Sequence, residues 1–416
     1  MTIRFPPALK HRRFRLLWLG MMISVAGTQM QIWALFWHIR TLTDQPIALG
    51  GVGLARILPV IIFSLVGGAV ADVANRRQVI FITQSAMALV ATTLAVLTWY
   101  GHIELWHIYV LTALNAVAVS FDGPARQALV PNLVPARDLP NAFSMMSIAF
   151  QTGAIAGPAL SGLVIAYQGQ YYAYLFNAIS FLAVILALIG IGTVRQQVIP
   201  GRDAQVSLTA IGEGVRFIRS HPIILSSMIL DFFATFFSSA NTLMPIVARD
   251  ILKVGAVEYG WLSAAQSVGA VAAALVISQV SVIQRQGPLF LGSVVVFGIA
   301  TVVFGLTRTF SAAMLALILV GGADAVSTII RNTIRQLQTP DYLRGRMTSV
   351  NQIFFMGGPQ LGEVEAGAAA QFFGAPFAII SGGVGCILAV AWIARRWPQL
   401  RAYNGDEPLR AGVPAD

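Results

Sequence analysis

The sequence predicts an all-α membrane protein with twelve transmembrane helices in two pseudo-symmetric six-helix bundles. Three observations lead there. The 416 residues are 56% hydrophobic and only 11% charged, whereas a water-exposed surface would raise the charged share to about a quarter. Apolar runs long enough to cross a bilayer, about 20 residues each, recur along the chain. The second half also repeats landmarks of the first in one register. A shift of 205 residues puts Arg126 on Arg331, Pro135 on Pro340, Ser144 on Ser349, Gly153 on Gly358, Gly157 on Gly362 and Gly162 on Gly367.

Runs bounded by charge, Pro and Gly set the spans in order. The first six fall at 14–38, 48–72, 79–100, 105–123, 142–167 and 171–193. The run beginning near Phe14 is long enough to span and lacks a small-residue cleavage site, so it reads as a first helix rather than a signal peptide. A polar segment follows, in which Leu208, Ile211, Val215 and Ile218 recur at helical spacing with Glu213, Arg216 and Arg219 off that stripe. This pattern predicts an amphipathic helix lying on the cytoplasmic membrane face. The remaining spans are 222–247, 258–282, 288–307, 310–331, 347–373 and 376–394. The organisation is therefore a bundle over 1–193, a linker over 194–221, a bundle over 222–396 and a cytoplasmic tail over 397–416.

The net charge of +10 does not indicate nucleic acid, because the arginines sit at the ends of apolar runs and form no single basic face. With the N-terminus inside, 22 of the 27 basic residues lie on the cytoplasmic side and four outside, Arg56 being left within a span. Inserting segments retain Lys and Arg in the cytoplasm, so both termini are expected there, in a bacterial inner membrane. The single cysteine, Cys386, lies in an apolar run and excludes an intramolecular disulfide. No phosphate-cradling loop, HExxH pair or Cys/His metal spacing is present. The sequence thus predicts no catalytic residue, no metal and no cofactor, and leaves an ion gradient, that of protons, as the energy source. The expected partners are the bilayer and a small molecule, with the chain acting as a monomer.

At the cytoplasmic end of the second span stand Gly68, Asp72, Arg76 and Arg77. They resemble the loop 2–3 signature of the major facilitator superfamily, with Val73 and Asn75 departing from its usual residues. Gly68 would allow close helix approach, Asp72 would meet a helix N-terminus, and the resemblance implies a conformational-switch role that extends to Asp122 and Arg126. The equivalent site near Ile277 and Ser281 has lost its charges. In helix 5, Gly153, Gly157, Pro158 and Gly162 are similar to the signature of that superfamily's proton-coupled exporters. Gly153 and Gly157 make a small-residue face, and Pro158 removes a helical hydrogen bond. Residues 123–131 and 337–346 resemble the branch that contains the enterobactin and macrolide exporters. That resemblance implies two six-helix halves related by a parallel repeat, with the substrate held between them.

Ionisable groups at membrane depth are costly and mark function by default. Glu363 and Glu365 in helix 11, Asp231 in helix 7 and Asp324 in helix 10 are the proton-coupling candidates. Glu363 and Glu365 point about 200° apart on a helix, so at most one faces a cavity squarely. Candidates for contact with substrate are Arg56, Gln29, Asn115 and Asn241. Asp122 and Arg126 form an i,i+4 pair, a theme repeated by Arg331 and Arg335, and both sets read as latch charges and membrane-surface anchors. His38 reads as an interfacial anchor. The expected activity is secondary active transport, the proton-coupled export of a small amphiphilic compound by alternating access. An importer on the same fold is the alternative, and a non-transporting sensor or membrane enzyme the remote one.

Overall fold

In lipid no water is available for exposed backbone groups, so each apolar run must satisfy its own hydrogen bonds as a helix. The structure, a computed structural model, describes residues 6–194, 215–237, 240–280, 283–340 and 344–405. Its membrane helices are α1 (Arg12–Leu42), α2 (Pro46–Val73), α3 (Arg76–Trp99), α4 (Leu105–Leu129), α5 (Leu139–Gln168) and α6 (Gln170–Ile191). There follow α7 (Pro222–Ile251), α8 (Ala256–Ser278), α9 (Gln286–Leu306), α10 (Phe310–Leu337), α11 (Arg344–Phe373) and α12 (Ala375–Arg396). Among the described residues, eleven of these are long and apolar enough to cross a membrane. The other, α11, has 30 residues but carries Asn351, Gln360, Glu363, Glu365 and Gln371 along its length.

Helix ends follow local chemistry. Proline opens α2 at Pro46, where a missing N–H costs nothing. The connection from α5 to α6 turns on Gly169 at φ 92°, and that from α11 to α12 on Gly374 at φ 85°, a left-handed conformation natural to glycine. These two are again 205 residues apart, which extends the repeat into backbone geometry.

The chain packs as two compact units: Met1–Val206 with Ala248–Ala264, and Ser207–Val247 with Ala265–Asp416. In the first, α1 packs on α5 and α6, α2 on α4, and α3 on α4 and α6. In the second, α7 packs on α11 and α12, and α9 on α10 and α12, while Gly269 of α8 lies against the backbone of α10 at Ile318 and Gly322. Equivalent helices thus pair in both units. The first core gathers Phe14, Leu17, Ile80, Leu129 and Leu188; the second gathers Leu230, Phe290, Ile330, Ile334 and Ile393. Outside those cores Ile61, Ile62, Leu89, Leu186, Leu275, Val276, Leu315 and Leu388 are each 61–69% exposed. So many bare aliphatic side chains match a surface whose solvent is lipid.

Of the linker, only the end is described, where Ile218 is buried with Ile224, Met228 and Met347; Leu208, Ile211 and Glu213 lie outside the described residues. Residues read from sequence as a tail instead pack on the second unit. A short helix at Pro398–Ala402 buries Leu400, and buried Tyr403 follows it. The Tyr403 carbonyl accepts from Gly287 N–H at 2.9 Å, and its hydroxyl accepts from Gln338 Nε2 at 3.3 Å.

Candidate functional site: a carboxylate-bearing cavity in the second unit

Asp324 stands on α10 beside Gly321 and Gly322, and these glycines decide what surrounds it. A Cβ at Gly321 would collide with the Gln266 backbone, so α8 lies directly on α10 and brings Gln266, Ser267 and Ala270 beside Asp324. The resulting cavity has a volume of about 290 Å³ and includes Asn241 and Thr242 of α7, Gln266 of α8, Phe297 of α9, Asp324 of α10 and Glu363 of α11 in its wall. Gln266 Nε2 donates to Asn241 Oδ1 at 2.7 Å, which fixes both amides. The Asp324 side chain is 52% exposed on this space. Thr242 is fully buried, and its Oγ1 has no hydrogen-bond partner.

Two of the four predicted proton-coupling carboxylates, Asp324 and Glu363, therefore share one cavity with the predicted Asn241. Glu365, half-buried on α11, is absent from its wall, as the 200° separation requires. Asp231 sits elsewhere. It is 2% exposed between two arginines of α10, with Oδ1 3.0 Å from Arg331 Nη1 and Oδ2 3.2 Å from Arg335 Nη2. Ser327 Oγ accepts from Arg331, and Ser227 accepts from Arg335 through both its hydroxyl and its carbonyl. Arg331 Nη1 also lies 3.7 Å from Asp324 Oδ1, so one guanidinium links the cavity wall to the buried pair. Arg331 and Arg335 are each 3% exposed, which corrects their reading as membrane-surface anchors. α10 runs on to Leu337, past the predicted end at 331, and turns both arginines toward α7.

In the first unit, Asp122 is buried and accepts from Thr83 Oγ1 at 2.9 Å and Gln84 Nε2 at 3.0 Å, besides its ion pair with Arg126. Arg76 donates to Ala128 O at 3.1 Å and Asn132 Oδ1 at 2.9 Å, and Arg77 to Leu188 O at 2.8 Å. The loop 2–3 arginines thus tie α3 to the ends of α4 and α6. The Asp72 side chain lies outside the described residues. Close helix approach falls at Gly67, whose Cβ would strike Ser120 O, rather than at Gly68, where an added Cβ meets nothing described within 4 Å. Gly153 and Gly157 of α5 seat on the α1 backbone around Ala26, beside Gln29, and Gly162 seats on Gly260 of α8. Pro158 is accommodated within a continuous α5. Arg56, Asn115 and Gln29 are half-buried in α2, α4 and α1 and do not line the cavity of the second unit. His38 is buried, not interfacial, and its Nδ1 lies 3.0 Å from the Tyr174 hydroxyl.

A second polar cluster pins Ala248–Ala264 to α1. Asp250 Oδ2 accepts from Arg40 Nη2 at 2.7 Å and Nε at 3.1 Å. Arg40 also pairs with Asp44, holding that carboxyl below its ordinary range. The Tyr259 hydroxyl donates to Trp33 O at 2.9 Å, with its ring against Trp33 and Trp37.

Thr235, Thr242, Gln266, Ser267 and Phe297 escaped prediction. Gln266 and Ser267 alone carried a signal, as adjacent polar residues in an apolar run.

A sequence model of the family described as transmembrane secretion effectors matches residues 4–409. The chain belongs to that major facilitator family. Its similar relatives in the family's transporter class include the multidrug efflux pump Tap of Mycolicibacterium fortuitum, 27% identical over 362 residues, 84% of this chain and 87% of that one. Enterobactin exporter EntS of Citrobacter koseri is 25% identical over 407 residues, covering 97% and 96%. In fold, a bacterial homologue of the human lysosomal transporter Spinster, inward-facing and unoccupied, matches with a TM-score of 0.74 at 12% identity, over 99% of this chain and all of that one. A bacterial homologue of the iron transporter ferroportin, inward-facing, gives 0.67 at 16% identity over 94% and 99%. This family member is a multi-pass membrane transporter.

Proposed function

We propose that the protein is a proton-coupled exporter of a small amphiphilic compound, working by alternating access from the bacterial inner membrane with both termini cytoplasmic. The observation that carries the reading is the meeting of Asp324 and Glu363 in one cavity. Carboxylates at membrane depth are group types that carry protons through transporters, and here they share a wall with groups able to hold a solute. Relatives named as an efflux pump and an exporter support the outward direction, as do the helix 5 glycines seated on α1. Arg331 offers a route for coupling, since its guanidinium pairs with Asp231 at 3.0 Å and lies 3.7 Å from Asp324, so protonation of Asp324 leaves it to Asp231 alone. No cofactor beyond the proton gradient is required, and the monomer is the working unit.

Inside-out vesicles loaded with a pH dye and energised to an acid interior test this. A transported amphiphile is expected to release protons from wild-type vesicles, with Asp324→Asn and Glu363→Gln abolishing release and Glu365→Gln retaining it. Accumulation without proton movement removes the coupling. Uptake confined to right-side-out vesicles makes the protein an importer.

A further inference from the structure

The cavity of the second unit has a charge character that narrows what it accepts. Among the described residues its wall contains two carboxylates, Asp324 and Glu363, and no basic residue. The nearest guanidinium behind Asp324, that of Arg331, is closer to Asp231, at 3.0 Å, than to Asp324, at 3.7 Å. Asp324 is therefore the acid presented to an occupant, while Asp231 holds the arginines back. Opposite charges attract, and an anion beside these carboxylates would be repelled.

Thr242 supplies an independent indication. Thr242 lines the cavity, and its hydroxyl is fully buried with no hydrogen-bond partner, a state that a bound ligand or water would explain. The Asn241–Gln266 amide pair and the Phe297 ring complete a wall suited to a charged donor, since an aromatic face also attracts cations. At about 290 Å³ the space is near the lower limit of small-molecule sites, roughly 300–1,000 Å³. It fits a head group and a short stem rather than a whole large molecule.

We infer that this cavity recognises the protonated amine head of a cationic amphiphile, with Asp324 as its counter-ion and Thr242 accepting a hydrogen bond from it. The substrate class rests on the export reading above but is tested apart from it. The probe pair is dansylcadaverine and dansyl-6-aminohexanoate, which share fluorophore and tether and differ in ending on an ammonium or a carboxylate. With the full chain in lipid nanodiscs, and empty discs subtracted, the amine is expected to bind saturably. The carboxylate is expected neither to bind nor to compete. Asp324→Asn should weaken the amine by about tenfold or more, because it removes a charge pair in a low-dielectric space. Asp324→Glu should keep most of the affinity, which separates lost charge from lost folding, and Thr242→Val should weaken binding severalfold.

Equal binding of the two probes, binding of the carboxylate alone, absence of amine binding, or indifference of the amine to Asp324→Asn overturns the assignment. Vesicle transport then separates the two ideas. Amine binding without any transport of the amine leaves the cationic site and removes the export reading. Proton-coupled export of the carboxylate probe keeps export and removes the cationic site.

Discussion

Asp231 is ion-paired with two arginines at once, and that sets its weight. Removing it leaves Arg335 with no acid partner among the described residues and Arg331 with only Asp324 at 3.7 Å, whereas removing Arg335 leaves Asp231 still paired with Arg331 at 3.0 Å. Breaking a buried pair costs about 3–5 kcal/mol, largely through the uncompensated charge. Asp231→Asn is therefore expected to lower the thermal unfolding temperature of the detergent-solubilised protein by more than Arg335→Gln does. The repeat supplies a repair. Arg126 and Arg331 are equivalent by register, but Arg126 finds its acid four residues back on its own helix, at Asp122, where the second unit has Ser327. Adding Ser327→Asp to Asp231→Asn should recover part of the lost stability. The acids themselves were legible in the sequence, because charge is rare at membrane depth. Their partners were not, since which neutral polar groups face Asp324 depends on how α8 lies against α10.

Helix contacts separate Gly68, which belongs to the loop 2–3 motif, from its neighbour Gly67, which does not. At Gly67 the α2 backbone touches α4 at Ser120, and at Gly68 it touches nothing described. Gly67→Ala is expected to destabilise by about 1–3 kcal/mol through overpacking, and Gly68→Ala to leave the unfolding temperature unchanged. A transport defect in Gly68→Ala at normal stability would place the motif's contact in another conformational state. The sequence located Gly68 because the signature names it, while the partner surface on α4 has no linear signal. α11 shows the reverse. It is the least apolar of the twelve helices, yet its span was predicted within three residues at the start and to the residue at the end, and the glycines of helix 5, Gly153, Gly157 and Gly162, recur in it 205 positions later.

At the scale of the molecule, lipid writes the fold into the chain as apolar runs, and these could be read before any coordinates. What could not be read was where each bundle stops, because packing beyond the last apolar run is made by ordinary loop-like residues. Trp397–Gly405 looks like a polar appendix and is instead a clasp: Leu400 and Tyr403 are fully buried, and the Tyr403 carbonyl takes up one N–H from the first turn of α9, that of Gly287. This matters at the bench. A purification tag or fluorescent fusion joined directly after Arg396 would unseat that clasp, orphan a backbone donor and open the floor beneath α9. Joined after Gly405 it would not. Truncation at Arg396 should therefore give poorly monodisperse, heat-labile protein by fluorescence-detected gel filtration, and truncation at Gly405 protein that elutes and melts like the full chain.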